Sequence, residues 1–404
     1  MGKYKKIVLL IIDGFGVGAM EDVVRERRSD IGANTAKSVV DSRENLKIDN
    51  LKKLGLMNIL DYETNSHKFS DNAIYTKANL QHFGADSFYG HQEIMGTKPI
   101  KPKIEGFYLY INKVEKVLFE NKISFKRIGP DPYLLNVNDA FIIGDNIETD
   151  PGLAFNITAD LTKIEFQEVI KIAKLIRGVV EVPRVIVFGS KDTTIKRIVE
   201  ALEIHQKKYI GINAPLSGVY TDSYECVHLG YGIDETKQVT YMLGESNIDV
   251  TLIGKVGDII IAPKSKYIQG VDTKYLMDQT IETIKKQKTG LIATNIQETD
   301  LAGHSQDIKK LAEKIEKIDQ KLAEIMILID DSSLLIIMAD HGNDPLIGHP
   351  NHTREQVPIM IYKKDNQKLI KLKELKTMAD VGQTIFWNLT SKKLENGNII
   401  KIKA

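Results

Sequence analysis

The chain has 404 residues, of which 42% are hydrophobic and 27% are charged, an ordinary composition for a globular protein with a sizeable core. The formal net charge of +1 gives no general attraction to nucleic acid or to an anionic membrane, so we expect neither as a partner. A single cysteine, Cys226, excludes an intrachain disulfide and a thiolate metal site, which leaves Asp, Glu and His as metal ligands.

Short apolar segments alternate along the chain with longer amphipathic ones. The segment 7–12 is too short for a signal peptide or a membrane span, so it predicts the first strand of a cytoplasmic protein. The other predicted strands, most of them apolar throughout, are 140–143, 185–188, 250–253, 291–296, 334–339 and 358–362. Helices are predicted at 166–176, 272–286 and 307–330. This alternation predicts an α/β protein with a mainly parallel sheet flanked by helices.

Carboxylates and imidazoles follow three of the predicted strands. Any one of these groups, taken alone, is equally well or better explained as a polar turn. Their repeated occurrence at the carboxyl ends of strands, where open α/β sheets bind ligands, instead predicts a shared site. Such side chains suit zinc, manganese or magnesium, and six of them with one more oxygen would fill two adjacent ions. The candidate ligands are Asp13, Asp300, His304, Asp340, His341 and His352.

A candidate nucleophile lies in the segment 83–96, FGADSFYGHQEIMG. Ser87 precedes a predicted helix start, and a divalent ion bound to its hydroxyl would make the proton easier to remove. The helix N-terminus would also favour a phosphate on that oxygen. The alternative interpretation is a serine that only caps the helix. Two ions roughly 3.5–4 Å apart with a nucleophile between them are typical of phosphoryl transfer.

The candidate ligands occur in 1–100 and 290–355, whereas the middle of the chain has few residues of this kind. The middle nevertheless has its own strand and helix patterns. We therefore predict a discontinuous catalytic core, formed by 1–97 and 219–404, into which a second domain, 98–218, is inserted.

Several stretches resemble the bacterial, metal-dependent phosphopentomutases of the alkaline phosphatase-like superfamily, in the order in which that family has them. They are VLLIIDGFGVG (8–18), DIGANT (30–35), YTKANLQHFGADSFYGHQEIMG (75–96), IGKVGDI (253–259), DLAGH (300–304), ADHGNDPLIGHPNHTRE (339–355) and MADVGQTI (378–385). GHQEIMG and HGND…HTRE are the most specific of these. The resemblance implies an alkaline phosphatase-like core with an inserted α+β cap domain.

The resemblance also implies roles for the candidate residues. A first ion would be bound by Asp13, Asp340, His341 and the Ser87 oxygen, and a second by Asp300, His304, His352 and the same oxygen. The ions would be manganese, with zinc or magnesium as alternatives.

The activity implied by the family is the interconversion of ribose 1-phosphate and ribose 5-phosphate. It would proceed through a phosphoserine enzyme and a bisphosphate intermediate, with a sugar bisphosphate as activator. Lys255 and Arg184 would bind the small phosphosugar substrate. The oligomeric state is not indicated.

The sequence departs from the family in three ways. Ser87 replaces the usual threonine, Asp300 precedes His304 by four positions instead of five, and 98–218 matches the family's cap only weakly. A mutase for another phosphosugar, or a metal-dependent phosphohydrolase or phosphodiesterase, therefore remains an alternative. The inserted domain favours a mutase, because a mutase must keep water from the phosphoenzyme. A non-enzymatic, metal-stabilised binding protein would have no need of Ser87.

Overall fold

The computed structural model describes residues 4–148 and 151–402, which divide into two units. The larger unit comprises Met1–Pro99 and Asp234–Ala404, and the smaller is Ile100–Ile233. The boundary predicted at 218 falls too early, because the strand Glu225–Gly230 pairs with Arg184–Ser190 inside the smaller unit. The insertion therefore continues to Ile233.

The larger unit is built on an eight-stranded sheet. Its strands, in spatial order, are Lys266–Ile268, Val250–Ile253, Gly290–Ile296, Lys6–Ile12, Ser333–Met338, Val357–Tyr362, Ile74–Ala78 and Ile370–Lys371. Val357–Tyr362 runs antiparallel to both of its neighbours, and the other strand pairs are parallel. The mainly parallel sheet predicted from the sequence is confirmed.

The three central strands are buried on both faces, which explains why their sequences are apolar without alternation. Every residue of Lys6–Ile12, Gly290–Ile296 and Ser333–Met338 is buried, because helices cover both faces of the sheet. In the register of the sheet, Leu9 lies between Ala293 and Ile336. The carboxyl ends of the three strands therefore meet at one edge.

The helices of the larger unit vary widely in length. They are Val23–Glu26, Thr35–Asp41, Asp49–Lys53, Leu56–Leu60, Ser87–Ile94, Val239–Glu245, Lys255–Ile259, Thr273–Lys286, Glu298–His304, Ile308–Leu328 and Ala379–Thr390, with 3-10 turns at Arg28–Asp30 and Glu235–Lys237. The predictions at 272–286 and 307–330 are confirmed to within two residues. The aspartates just before these two helices, Asp272 and Asp307, cap them by accepting a backbone N–H.

The smaller unit has a mainly antiparallel sheet of six strands. Their spatial order is Glu225–Gly230, Arg184–Ser190, Ala154–Asp160, Phe141–Asp145, Leu134–Val137 and Phe125–Ile128. A hairpin joins Leu202–His205 to Tyr209–Ile212. The helices are Ile111–Glu120, Phe166–Arg177, Ile195–Glu200 and Ala214–Ser217, with a 3-10 turn at Phe107–Leu109. This is the α+β architecture expected for the inserted domain.

Among residues 4–148 and 151–402, none of the helices combines the length and the apolar character that a crossing of a bilayer requires.

Candidate active site

Three buried aspartates lie beyond the adjoining ends of the central strands. Asp13 follows Lys6–Ile12 directly, and its Oδ1 lies 3.3 Å from Nε2 of His341. The same imidazole nitrogen lies 3.3 Å from Oδ2 of Asp340. The structure therefore brings Asp13, Asp340 and His341 together, as expected for residues at the ends of parallel neighbours.

Asp300 and His304 lie on a short helix, Glu298–His304, and not on the polar loop that the sequence had left open. A spacing of four residues places two side chains on the same face of a helix. Nε2 of His304 accordingly lies 3.3 Å from Oδ2 of Asp300, and Nε2 of His352 lies 3.3 Å from Oδ1 of the same carboxylate. The helix explains how a spacing of four residues, in place of the family's five, still lets the carboxylate of Asp300 and the imidazole of His304 meet.

The backbone fixes the orientation of the three candidate imidazole ligands. Each ring has its Nδ1 within hydrogen-bonding distance of a carbonyl oxygen: His304 with Pro350 at 2.6 Å, His341 with Gly342 at 2.9 Å and His352 with Ala85 at 2.8 Å. Nδ1–H donates to the carbonyl, so Nε2 faces the site and offers its lone pair there once the ring is neutral. Metal-binding imidazoles are commonly held in this way.

The donor atoms form two adjoining groups, each within 4.8 Å across: Asp13, Asp340 and His341 in one, and Asp300, His341 and His352 in the other. Oδ1 of Asp13 and Nε2 of His341 are both buried and lie 3.3 Å apart, yet neither forms a hydrogen bond of good geometry among the described residues. Because burying unpaired polar atoms is costly, the two atoms fit a bound cation. Oxygen and imidazole donors suit a divalent ion such as zinc or manganese.

The charged side chains of the cluster favour a positively charged group among the aspartates. Burial alone would raise the pKa of Asp340, but His341 and His91 outweigh it and hold that pKa well below its usual range. Burial opposes the charged form of His341 as well, yet Asp340 and Asp13 raise its pKa to about 10. Hydrogen bonds from His304 and His352 likewise outweigh burial and lower the pKa of Asp300. The carboxylates of Asp340 and Asp300 are therefore held in the ionised form in the small volume that they share with Asp13.

Lys255 supplies a cation to the same cluster. It begins the helix Lys255–Ile259, and its Nζ lies 2.8 Å from Oδ2 of Asp13 and 3.7 Å from Oδ2 of Asp300. Burial would lower the pKa of Lys255, but the surrounding carboxylates raise it. Lys255, for which the sequence predicts a role in substrate binding, thus contacts two of the candidate metal ligands.

Ser87 is the first residue of the helix Ser87–Ile94. The N-cap of this helix is Asp86, whose side chain accepts a hydrogen bond from the N–H of Tyr89. The alternative in which Ser87 caps the helix is therefore wrong. Its hydroxyl instead donates to Oδ2 of Asp340 at 2.7 Å, which places Oγ at the candidate metal cluster.

Several polar residues that received no role in the sequence analysis support the site. Asn343 donates from Nδ2 to Oδ1 of Asp300 at 2.8 Å and so orients that carboxylate. The fully buried Glu355 accepts hydrogen bonds from the hydroxyls of Thr35 and Thr353. The sequence signals for Asn343 are its position two residues after His341 and its place in the HGND motif. Glu355 and Thr35 are 320 positions apart, and no local pattern links them.

His91 also contacts the cluster. Its Nδ1 lies 2.9 Å from the carbonyl oxygen of Ser87 and 3.2 Å from Oδ2 of Asp340. Its Nε2 lies 3.0 Å from Nδ2 of Asn295, which can donate to it. Both ring nitrogens therefore have protein partners, and His91 orients Asp340 instead of joining the candidate ligands.

Arg184 begins the strand Arg184–Ser190 of the smaller unit, where it pairs with Ala154 and Gly230. Its proposed contact with the substrate stays a prediction.

Known proteins are similar to this chain over nearly its whole length. The family model of the metalloenzyme superfamily matches residues 5–393. A phosphopentomutase from Caldanaerobacter subterraneus subsp. tengcongensis is 30% identical over 388 residues, 94% of this chain and 93% of that protein. One from Alkaliphilus metalliredigens is 29% identical over 405 residues, 98% of each chain.

Among solved structures, a phosphoglycerate mutase from Leishmania mexicana at low cobalt concentration aligns with 99% of this chain and 98% of its own, at 12% identity and a TM-score of 0.48. Membership of the metalloenzyme superfamily implies divalent metal ions. The identity to the curated relatives extends over both units of the fold. The chain belongs to the phosphopentomutase family of the metalloenzyme superfamily, and it is an isomerase of the phosphomutase kind.

Proposed function

We propose that this protein interconverts ribose 1-phosphate and ribose 5-phosphate, with Ser87 as the residue that carries the phosphate. The observation that carries the proposal is the hydrogen bond of 2.7 Å from the Ser87 hydroxyl to Asp340. The Ser87 hydroxyl thus lies at the N-terminus of a helix, beside buried groups that suit divalent ions, and this supports a role as the nucleophile.

Two ions would be held by two adjoining sets of ligands at the site that includes the Ser87 oxygen. The first set of ligands is Asp13, Asp340 and His341, and the second is Asp300, His304 and His352. The unpartnered Oδ1 of Asp13 and Nε2 of His341 support the first set, and the inward Nε2 atoms of His304 and His352 support the second. The ions, which we assign as manganese, would stabilise the alkoxide and neutralise charge on the transferring phosphoryl group.

The reaction moves one phosphoryl group in each half. Phosphorylated Ser87 gives its phosphate to the C1 hydroxyl of ribose 5-phosphate, which forms ribose 1,5-bisphosphate and frees the serine. The C5 phosphate is then transferred to Ser87, which leaves ribose 1-phosphate. A catalytic amount of the bisphosphate would prime the serine. Lys255, already among the carboxylates, and Arg184, in the smaller unit, would bind the phosphosugar.

The test is an assay of the purified protein with manganese and a priming amount of ribose 1,5-bisphosphate. Ribose 5-phosphate should be converted to ribose 1-phosphate, and intact-protein mass should show one phosphate, localised to Ser87 by peptide mapping. Release of free phosphate without isomerisation would instead support the phosphohydrolase.

Variants of the serine sharpen this test. Ser87→Ala should abolish both the phosphorylation and the turnover, whereas Ser87→Thr, which restores the family's usual residue, should retain both. The matched control is Ser246→Ala, because Ser246 is exposed and its hydroxyl donates only to the carbonyl of Met242. Unchanged turnover of Ser87→Ala would contradict the assignment of the nucleophile.

A further inference from the structure

The segment 80–85 connects the strand Ile74–Ala78 to the helix Ser87–Ile94, and we call it the nucleophile loop. It has no regular secondary structure, and Gly84 adopts a left-handed conformation with φ of +74°. Buried backbone N–H and C=O groups need partners, and a loop cannot take them from a helix or a sheet. Two buried, oppositely charged side chains supply them here.

Arg354 binds the nucleophile loop through its carbonyl groups. Its guanidinium donates to the carbonyl oxygens of alternate residues: Leu80 at 3.1 Å, His82 at 2.8 Å and Gly84. The same guanidinium donates from Nε and Nη2 to the carboxylate of Asp22, at 2.9 and 2.8 Å. The five N–H groups of arginine lie in one plane, so this set of acceptors fixes the loop in a single geometry.

Glu93 binds the same loop through its amide groups. Its fully buried carboxylate accepts the backbone N–H of Gln81 at 3.1 Å and that of His82 at 3.0 Å. Nδ1 of His82 lies 2.8 Å from the same carboxylate. The hydroxyl of Thr377 and the N–H of Met378 also donate to Glu93, and they tie the carboxylate to the start of the last helix.

The nucleophile loop is joined to the candidate ligands by the segment that carries Arg354. His352, two residues before Arg354, has its Nδ1 2.8 Å from the carbonyl oxygen of Ala85. One short stretch of chain thus holds the loop at Leu80, His82, Gly84 and Ala85. Ser87 follows Ala85 by two residues.

We infer that Arg354 and Glu93 are positioning residues, which together hold the nucleophile loop so that the Ser87 oxygen stays in register with the candidate metal ligands. The inference deepens the proposed function and rests on Ser87 being the nucleophile. Neither residue touches the transferring phosphoryl group. Their effect on the reaction is exerted through the backbone of 80–85.

The kinetic test uses Arg354→Lys. Lysine keeps the positive charge beside Asp22 but has no planar set of donors for three carbonyls. Because a displacement of about 1 Å costs on the order of a hundredfold in rate, we expect kcat to fall by that factor while KM stays within about twofold. Arg354→Ala should regain activity when guanidinium is added at millimolar concentration. The matched control is Arg127→Lys, since Arg127 makes an exposed two-point ion pair with Glu115.

Amide hydrogen exchange provides a readout that does not depend on turnover. The amides of Gln81 and His82 should exchange at least tenfold faster in Arg354→Lys and in Glu93→Gln, while the central strand Lys6–Ile12 keeps its protection. Glu93→Gln also serves as the second variant where Arg354→Lys does not fold. Equal exchange in 80–85 and an unchanged kcat in a folded variant would overturn the inference. The inference would also be overturned by a variant that loses bound metal and has a lower thermal midpoint, but whose kcat per metal-loaded, folded protein is unchanged.

The two failures are distinguishable. If the wild-type protein proves inactive as a mutase, the proposed function fails, and the exchange experiment still reports whether Arg354 and Glu93 hold the loop. If the wild type is active and loop exchange is unaltered in both variants, only the positioning role fails.

Discussion

The Nε2 atoms of His304 and His352 face each other at 2.9 Å. Both rings donate from Nδ1 to a backbone carbonyl, so two lone pairs meet unless a proton or a cation lies between them. The hydrogen bond to Asp300 raises the pKa of His304, whereas burial lowers that of His352. A proton on His304 relieves the contact in the ion-free protein, and a metal ion would satisfy both nitrogens.

Removal of the ions should therefore destabilise the protein. Manganese added to chelator-treated protein at about a hundredfold excess over Kd should raise the free energy of unfolding by about 3 kcal/mol for each ion bound, because it binds the folded state alone. Elemental analysis should find two ions per chain in the wild type and fewer in His352→Ala. The control is His205→Ala, since His205 is exposed in the smaller unit. Equal metal content in His352→Ala and wild type would rule out His352 as a ligand.

Asn343→Ala tests the orientation of a candidate ligand. The amide of Asn343 donates to both Oδ1 and the backbone carbonyl of Asp300, so its loss frees the carboxylate to rotate. We expect metal affinity or kcat to fall about 10- to 100-fold, as is usual for partners of metal ligands. Asn121→Ala is the control, because Asn121 is exposed and bonds only within its own helix terminus. Metal titration with a fluorescent chelator as competitor gives the affinity.

Gly90→Ala tests how closely the helix of Ser87 must approach the strand end. A Cβ atom at Gly90 would lie 2.7 Å from the carbonyl oxygen of Asp340 and 3.1 Å from its Cβ. The obstacle is backbone, so the helix Ser87–Ile94 must shift and lengthen the hydrogen bond from Ser87 to Asp340. A displacement near 1 Å should reduce kcat by about a hundredfold.

The control for this substitution is Gly178→Ala in the smaller unit, where the new Cβ would meet only carbonyl oxygens at 3.3 Å and beyond. Wild-type turnover by a folded Gly90→Ala protein would show that the Ser87–Asp340 distance does not limit the reaction.

The sequence predicted those parts of the fold that depend on a repeated pattern of burial. Lys6–Ile12, Gly290–Ile296 and Ser333–Met338 are apolar on both faces, so their identity as strands and the meeting of Asp13 and Asp340 beyond them could be inferred. The helix Glu298–His304 could not, since it is short and shows no apolar face: it buries the polar Thr299 and Asp300 and exposes Leu301.

The contacts that support the candidate ligands could not be inferred from the sequence, although the residues that make them lie in the HGND…HTRE motif. Asn343, Arg354 and Glu355 act by binding the backbone or side chains of irregular segments, and those contacts exist only once distant parts of the chain have met. The end of the smaller unit was misplaced because Glu225–Gly230, an edge strand with exposed residues, does not show a continuous apolar pattern.

A buried carboxyl in the smaller unit gives a prediction that is independent of catalysis. Asp145 is fully buried and accepts the N–H groups of Phe107 at 2.8 Å and Ile210 at 2.9 Å. Burial outweighs these two bonds and raises the pKa of Asp145 from 3.8 to about 6. The folded protein therefore binds a proton more tightly than the unfolded chain does. This contribution to stability is full below the unfolded pKa and is lost as the pH rises through about 6.

Asp145→Asn should remove that dependence, because the amide does not titrate. A pKa difference of about 2 units corresponds to about 3 kcal/mol, so between about pH 4 and 7 the wild type should lose that much unfolding free energy relative to the variant. Urea denaturation at constant ionic strength, repeated across this range, measures the difference. Asp222→Asn, at an exposed position, should follow the wild-type profile. Parallel profiles for Asp145→Asn and the wild type would mean that Asp145 titrates alike in the folded and unfolded states, in which case its burial does not oppose ionisation.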